Sequence, residues 1–462
     1  MLQLSVIAAY LVAVIAIGVW SRRRAGTRDG FFVAHRRGSL PLVTGSLLAT
    51  AVGGSALVVT ASWGFSFGLP GAWWLLVGSV GLLVLGAFLA GKVRGAAVYT
   101  LPELVEKQYD RRVGLAASVL IVVAWVGVVA GQIVAAGSFL SILGIGSATS
   151  WMIVFTSVVV IYTVLGGQLS VLRTDLFQAA IVFAGIFVAV AAVLSRVGGL
   201  GELKASLPPD YFGFPVNARF DGKVLLAHLI LVGATYVVGP DMYSRLFCAK
   251  EEKTAQRSAI LAAFLFVPLA LAIALIGMSG RVLYPQIVPG DAFPQVVRAV
   301  LSPALSGLIL AGIIAALMSS ADTCLLSQSI ILTQDVIKRF HPLDERETVL
   351  LTRLSLVALG SLALGLALAV KQVYSSLMFA YTIFTCGLVV PVVAGFYRQK
   401  LKVTAHGALA ALIGGGILGL LGRIPGLNIP LKEDLGLIGF GVSAVLLFGV
   451  RLLDWRARFR SV

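Results

Sequence analysis

The sequence predicts an all-α polytopic membrane protein with about 13 transmembrane helices. Three observations carry that expectation. Of 462 residues, 59% are hydrophobic and only 12% are charged, a balance too apolar for a soluble globular chain. Apolar runs of about 17 to 25 residues, among them Leu4 to Trp20, Trp73 to Gly91 and Ile260 to Gly277, match the length at which a helix crosses roughly 30 Å of hydrocarbon. The connections between runs alternate between basic and almost uncharged, as they do when successive loops lie on opposite sides of a bilayer.

In chain order the expected spans are 3–20, 40–68, 71–92, 114–143, 147–166, 170–197, 224–246, 257–280, 303–335, 348–370, 374–397, 403–421 and 435–453. The first reads as a retained span, because Arg22, Arg23 and Arg24 follow it, whereas a cleavable signal peptide carries its charge ahead of the apolar stretch. Basic residues cluster in Arg22 to Arg37, Lys92 to Arg112, at Arg173, in Lys250 to Arg257, Lys338 to Arg346, Arg398 to Lys402 and Arg451 to Arg460. The alternate links, at Leu69, Gly144 and Lys371, are short and nearly uncharged. This bias places the amino terminus outside and the carboxyl terminus in the cytoplasm, as an integral protein of a plasma (inner) membrane. The longer outside segments, Gly198 to Lys223 and Arg281 to Pro303, are expected to lie over the external face.

Other classes are poorly supported. The net charge of +16 sits in short clusters between apolar spans, not on one continuous basic surface, so no nucleic-acid partner is expected. The 3 cysteines, Cys248, Cys324 and Cys386, have neither disulfide nor metal-ligand spacing. The 4 histidines are dispersed, and no catalytic constellation emerges, so the chain is not read as an enzyme. Gly86 to Lys92 has the form G-x-x-x-x-G-K, but Val93 stands where a phosphate-binding loop needs Ser or Thr, and the stretch ends an apolar helix.

Two spans are interrupted. Gly53 and Gly54 fall in the middle of the second, and Gly239-Pro240 in the seventh. Backbone groups freed by such breaks are tolerated at membrane depth only inside protein or beside a cavity, and paired broken helices point to a transporter binding site. Simple close packing or a proline kink is the plainer alternative. In the ninth span, Ser319 and Ser320 follow Ala316 by three and four residues, and Thr323 continues that face. Such an oxygen-rich patch suits a hard cation such as sodium, although hydroxyls bonding back to helix carbonyls would explain it equally simply. Asp175 and Asp322 lie within spans, where a carboxylate costs about 2.5–3.5 kcal/mol unless it is paired, protonated or hydrated. Asp241 and Arg245, four residues apart, are expected to pair on a helix surface.

Three stretches resemble the sodium:solute symporter family, which includes bacterial proline and pantothenate symporters and sodium-coupled sugar transporters. Gly166 to Gln178 is similar to its G-G-x-x-x-V-x-x-T-D-x-x-Q stretch, Pro240 to Ser258 to its P-x-x-x-x-R-x-x-x-A-K segment, and Asp291 to Asp335 to its D-x-A-F-P and A-A-x-M-S-[ST]-A-D-[ST] block, the former here shortened to D-A-F-P. The resemblance implies one transporter domain over 1–462. Its core would be an inverted five-plus-five helix repeat, as in leucine-transporter-like proteins, over about 40–197 and 224–397, with peripheral helices 3–20, 403–421 and 435–453. It further implies sodium held by the carbonyls of Ala49, Val52 and Ala316 and the hydroxyls of Ser319 and Ser320. Asp175, Thr323 and Asp322 fall where some members hold a second cation.

For the solute, Gly53, Gly54, Ser55 and Tyr236 are the candidate contacts. Ala56 replaces a polar residue of the sugar-transporting members, and the bare backbone of the glycine pair suits a carboxylate at a half-helix terminus. The expected function is therefore sodium-coupled import of a small organic solute, a carboxylate or an amino acid, by alternating access. Proton-coupled symport through Asp175 or Asp322 is the alternative, and a membrane sensor with a transporter-like domain the distant one.

Overall fold

The structure is a computed structural model that describes residues 28–141, 144, 146–424, 431–432 and 434–460, together with Val12 and Ala16. Apart from those two positions, the expected leading span 3–20 and the arginine triplet after it lie outside the described residues. Among the described residues the secondary structure is helical, with two isolated β-bridges. Among the described residues, nine helices are long and apolar enough to cross a membrane, or up to 10 if one bent pair counts as a span, and two shorter apolar helices follow.

The bent pair is α1 (Leu40–Ala51) and α2 (Gly54–Phe67). After it come α3 (Leu69–Gly95), α4 (Arg111–Ser141) and α5 (Ala148–Val197). The second half opens with α6 (Ala234–Val238) and α7 (Pro240–Cys248), followed by α8 (Glu252–Leu283), α9 (Leu305–Phe340), α10 (Glu345–Val370) and α11 (Val373–Gly395). Two trailing helices are α12 (Ala405–Leu421) and α13 (Leu435–Arg460). Every expected span from 40–68 onward coincides with an apolar helix.

Local chemistry sets several starts. The Ser147 hydroxyl accepts the Ser150 amide at 3.1 Å to cap α5, and Asp344 with Glu347 forms a reciprocal capping box at the head of α10. The expected spans 147–166 and 170–197 correspond to two apolar stretches, Ala148–Leu165 and Thr174–Val197, within the 50-residue helical element α5. The Tyr162 hydroxyl lies 2.8 Å from that of Thr174. A straight helix would hold such positions about 18 Å apart along its axis, so α5 is not straight between its two apolar stretches.

The connections sort by face. Arg36 donates to the carbonyls of Ala97 and Val98, each at 3.1 Å, and Arg94 to that of Ala249. Gly38 exchanges backbone bonds with Cys248 and Lys250 at 2.8 and 2.9 Å. Arg339 pairs with Glu106, and Arg398 donates to the Gln108 carbonyl at 2.6 Å. The basic connections thus assemble on one face. On the other, the segment after α5 covers the ends of α2 and α3, with Asn217 donating to the Phe67 carbonyl at 2.7 Å and Trp73 to that of Pro215 at 2.9 Å. On α3, α5 and α8, Phe88, Phe177 and Phe264 are each more than 60% exposed, which suits lipid and not water.

Small residues bring the helices together. A Cβ added at Gly277 would stand 2.0 Å from the Ala61 carbonyl oxygen, and one at Gly64 would stand 2.4 Å from that of Ala274, so α2 and α8 meet backbone to backbone. Gly277→Leu is therefore expected to destabilise the purified protein by about 1–3 kcal/mol or more. Gly365→Leu, at a position with nothing within 4 Å, should leave the midpoint within experimental scatter. Thermal unfolding of both variants in detergent checks the contrast.

Candidate cation and solute sites

Three pieces of backbone meet at the centre of the bundle. The first is the break between α1 and α2, where Val52 (φ −86°, ψ 37°) and Gly53 (φ −54°, ψ 153°) leave helical geometry and the chain bends by 56°. The second is Gly239 (φ −52°, ψ 135°), between α6 and α7, where Pro240 has no amide hydrogen to continue the ladder. The third is the hydroxyl-bearing face of α9.

At the first break, carbonyls that an unbroken helix would satisfy are free to bond elsewhere. The Ser320 hydroxyl donates to the Thr50 carbonyl at 2.7 Å and lies 3.4 Å from that of Ala49. Gly53 makes this approach possible, because a Cβ there would sit 2.3 Å from the Ser320 oxygen and 3.2 Å from Gln132 Nε2. Gly54 instead packs against Leu317, whose side chain would be 2.2 Å from an added Cβ.

Ala49, Val52 and Ala316 line one small cavity of about 280 Å³, shared with Gln178, Val182 and Leu269. Ser319 and Ser320 follow one turn along α9 on the same face. Ser319 donates its hydrogen to Asp175 Oδ1 at 2.6 Å, and Ser320 donates to α1, so both oxygens keep lone pairs for a cation. Among the described residues no group of three or more His, Cys, Asp or Glu side chains could hold a metal. The available donors are carbonyls and hydroxyls, the ligand set of a hard cation and not of a transition metal.

Beside this cavity lies a buried charged cluster. Asp175 accepts from Ser46 on α1, from Ser319 on α9 and from Arg245 on α7, the last at 3.0 Å with both side chains fully buried. Arg245 also donates to Thr323, whose hydroxyl in turn donates to the Ser319 carbonyl at 2.6 Å and lies 3.2 Å from Asp322 Oδ1. Asp322 Oδ2 has no hydrogen-bond partner among the described residues. The expected Asp241–Arg245 pair is corrected here. Asp241 stands in the first turn of α7, its carboxylate close beside Gly239, while the longer Arg245 reaches the deeper carboxylate on α5.

A second cavity of about 460 Å³ opens against both breaks. Gly53, Ser55 and Tyr236 line it, as do Thr50, Asp241 and Ser320. Gln132 on α4 donates to the Ser55 hydroxyl at 2.7 Å and accepts the Ser55 amide at 3.3 Å, fixing the start of α2. Trp74, Trp125 and Tyr381 complete an aromatic wall, and Tyr236 packs edge-on to Phe266 with ring centroids 6.4 Å apart. Sequence reasoning assigned Asp241 to a helix-surface ion pair and passed over Gln132, Trp74, Trp125 and Tyr381. An amide inside the otherwise apolar α4 was a usable signal for Gln132. The aromatics carried none, since a Trp or Tyr in a span is ordinary packing.

A helical bundle whose two broken helices and one hydroxyl-bearing helix converge on buried cavities is a solute transporter of the broken-helix class. The sequence pattern of the sodium:solute symporter family matches residues 31–415, and the chain belongs to that family, whose coupling ion is sodium. Sodium/glucose cotransporter 2 of Rattus norvegicus is 26% identical, over 91% of this chain and 71% of its own length. A high-affinity proline transporter of Bacillus subtilis (strain 168) is 27% identical over 95% of each chain. Among solved structures, a sodium-coupled sialic acid symporter in a substrate-bound outward-open state aligns with TM-score 0.82 and 19% identity, covering 98% of both chains. MhsT in complex with L-phenylalanine aligns with TM-score 0.57 and 16% identity, over 90% of this chain and 98% of its own. At these identities the two structures show a shared fold.

A double-mutant cycle in thermal or denaturant unfolding should give Asp175 and Arg245 a coupling of about 1–3 kcal/mol. Asp241 and Arg245 should couple by less than about 0.5 kcal/mol. A larger coupling for the second pair would reverse the assignment of Arg245.

Proposed function

We propose that the protein imports a small organic solute together with sodium by alternating access. The observation that carries this reading is the position of Ser320: its hydroxyl bonds the opened carbonyls of the first break, and it also lines the larger cavity. An ion held there and a solute held beside it would share one residue and one break, which is what coupling between two ligands requires.

In this reading the carbonyls of Ala49, Val52 and Ala316 and the hydroxyls of Ser319 and Ser320 hold sodium. Gly53, Ser55 and Tyr236 face the solute, a small amino acid or carboxylate, and Gly54 supports them through packing. Asp175, Thr323 and Asp322 tune the cage. Arg245 supplies a fixed positive charge in that cluster, which favours a single transported sodium over a second cation at the same place. The breaks at the heads of 40–197 and 224–397 support two inverted halves that rock against one another. The assembled basic face supports a cytoplasmic position for that face, with the amino terminus outside and the carboxyl terminus within, in a bacterial inner membrane.

A membrane potential supplies about 2.3 kcal/mol per charge per 100 mV, enough for one sodium to drive substantial accumulation. In proteoliposomes, a sodium gradient should accelerate solute uptake at least about tenfold over a potassium control. Ser319→Ala combined with Ser320→Ala should abolish that stimulation, and unchanged stimulation in the double variant sinks the site. Single cysteines placed at Lys253 and Lys371 of a cysteine-free background should be labelled by an impermeant reagent from opposite sides of right-side-out vesicles, Lys371 from outside. The reverse labelling contradicts the orientation.

A further inference from the structure

Asp241 is the only charged side chain among the described residues that line the larger cavity, and no Lys, Arg or His accompanies it there. Its expected counter-charge, Arg245, is taken by Asp175, and among the described residues Asp241 forms no ion pair. The carboxylate sits at the amino-terminal end of α7, next to Gly239, where the helix dipole favours a negative charge. That placement has two effects. The helix terminus favours a negative charge there without a neutralising side chain, and the position that would attract an anionic solute already carries a carboxylate.

The rest of the wall suits a positive charge. Trp74, Trp125, Tyr236 and Tyr381 present aromatic rings to the same cavity, and aromatic faces attract ammonium groups. Thr50 adds a buried hydroxyl with no hydrogen-bond partner among the described residues. A carboxylate without nitrogen would meet Asp241 as a like charge, with no cation to compensate, and a neutral polyol would leave Asp241 without a counter-charge.

We infer that the transported solute carries a cationic nitrogen and that Asp241 is its counter-ion. This narrows the acid-or-amino-acid reading above to solutes with a protonated amine, and it rests on that reading for the identity of the cavity as the solute site. An amino acid satisfies it through its ammonium group, with its carboxylate directed away from Asp241; a simple amine satisfies it without one.

The test uses the full-length purified protein and three matched sets of probes: the common amino acids, their decarboxylated amines, and the corresponding nitrogen-free α-hydroxy acids. Binding is read in sodium by thermal stabilisation and by tryptophan fluorescence. At least one amino acid or amine is expected to bind, and its hydroxy-acid counterpart to bind at least about tenfold more weakly. Asp241→Asn should weaken the best probe by a similar factor, while Asp241→Glu, which keeps the charge, should preserve the preference for nitrogen. Equal binding of a hydroxy acid and its amino counterpart, failure of every nitrogenous probe, or wild-type affinity in Asp241→Asn would each overturn the inference. If Asp241→Asn does not fold, the wild-type ranking and Asp241→Glu decide the matter. Replacing sodium by potassium on wild-type protein separates the two readings: amine binding indifferent to that exchange contradicts sodium coupling and leaves the role of Asp241 standing.

Discussion

The structure depends on one buried carboxylate. Asp175 on α5 receives a guanidinium from α7 and hydroxyls from α1 and α9, so four helices from both halves of the bundle meet at its two oxygens. Burying two charges is costly, and hydrogen bonds from Ser46 and Ser319 to the carboxylate and from Arg245 to Thr323 offset part of that cost, while Arg245 Nε has no partner among the described residues. The pair is weak evidence of net stability, yet losing one partner would leave an uncompensated charge in the core. Its main effect is positional. It fixes the rotation of α9 about its axis, and it turns the hydrogen of Ser319 toward the carboxylate so that the oxygen lone pairs are left for another ligand.

From that fixed face the proposed ion and solute sites follow by short steps. Ser320 lies one residue beyond Ser319 and reaches the opened carbonyls of the first break, which exist only because the chain leaves helical geometry at Val52 and Gly53. Close approach requires Gly53 to have no side chain. The same break forms a wall of the larger cavity, where Gln132 anchors the start of α2 through both ends of its amide. A ligand that favours one arrangement of this break changes the affinity of any ligand contacting it elsewhere, and the effect is reciprocal. Coupling between ion and solute therefore needs no long relay.

Features of local chemistry were legible in the sequence. Apolar run length and the sorting of basic loops marked the spans, and those loops do meet on one face through Arg36, Arg94, Arg339 and Arg398. The breaks at Gly53 and at Gly239-Pro240 were visible because glycine and proline act on their own backbone. The three- and four-residue spacing from Ala316 placed two hydroxyls on one face before any neighbour was known. Tertiary choices were not legible. Arg245 had a plausible partner one turn away at Asp241, and nothing in a single sequence shows that a carboxylate 70 residues distant lies closer. That misassignment also hid Asp241, which a local ion pair would have rendered unremarkable. Gln132, Trp74, Trp125 and Tyr381 come from three separate helices, and only the packing of the bundle brings them to one cavity. The bend within α5 falls between the expected spans 147–166 and 170–197, where the apolar run is interrupted.

The central claim is that sodium binds where the opened carbonyls of the first break face the hydroxyls of α9. Equilibrium binding of radiolabelled sodium to the purified protein, compared between the native chain and Ser320→Ala, tests it most directly. The account predicts one saturable site in the native protein and an affinity at least about tenfold lower in the variant, with Arg245 and Asp175 still paired in both. Sodium binding of unchanged affinity in Ser320→Ala would contradict it.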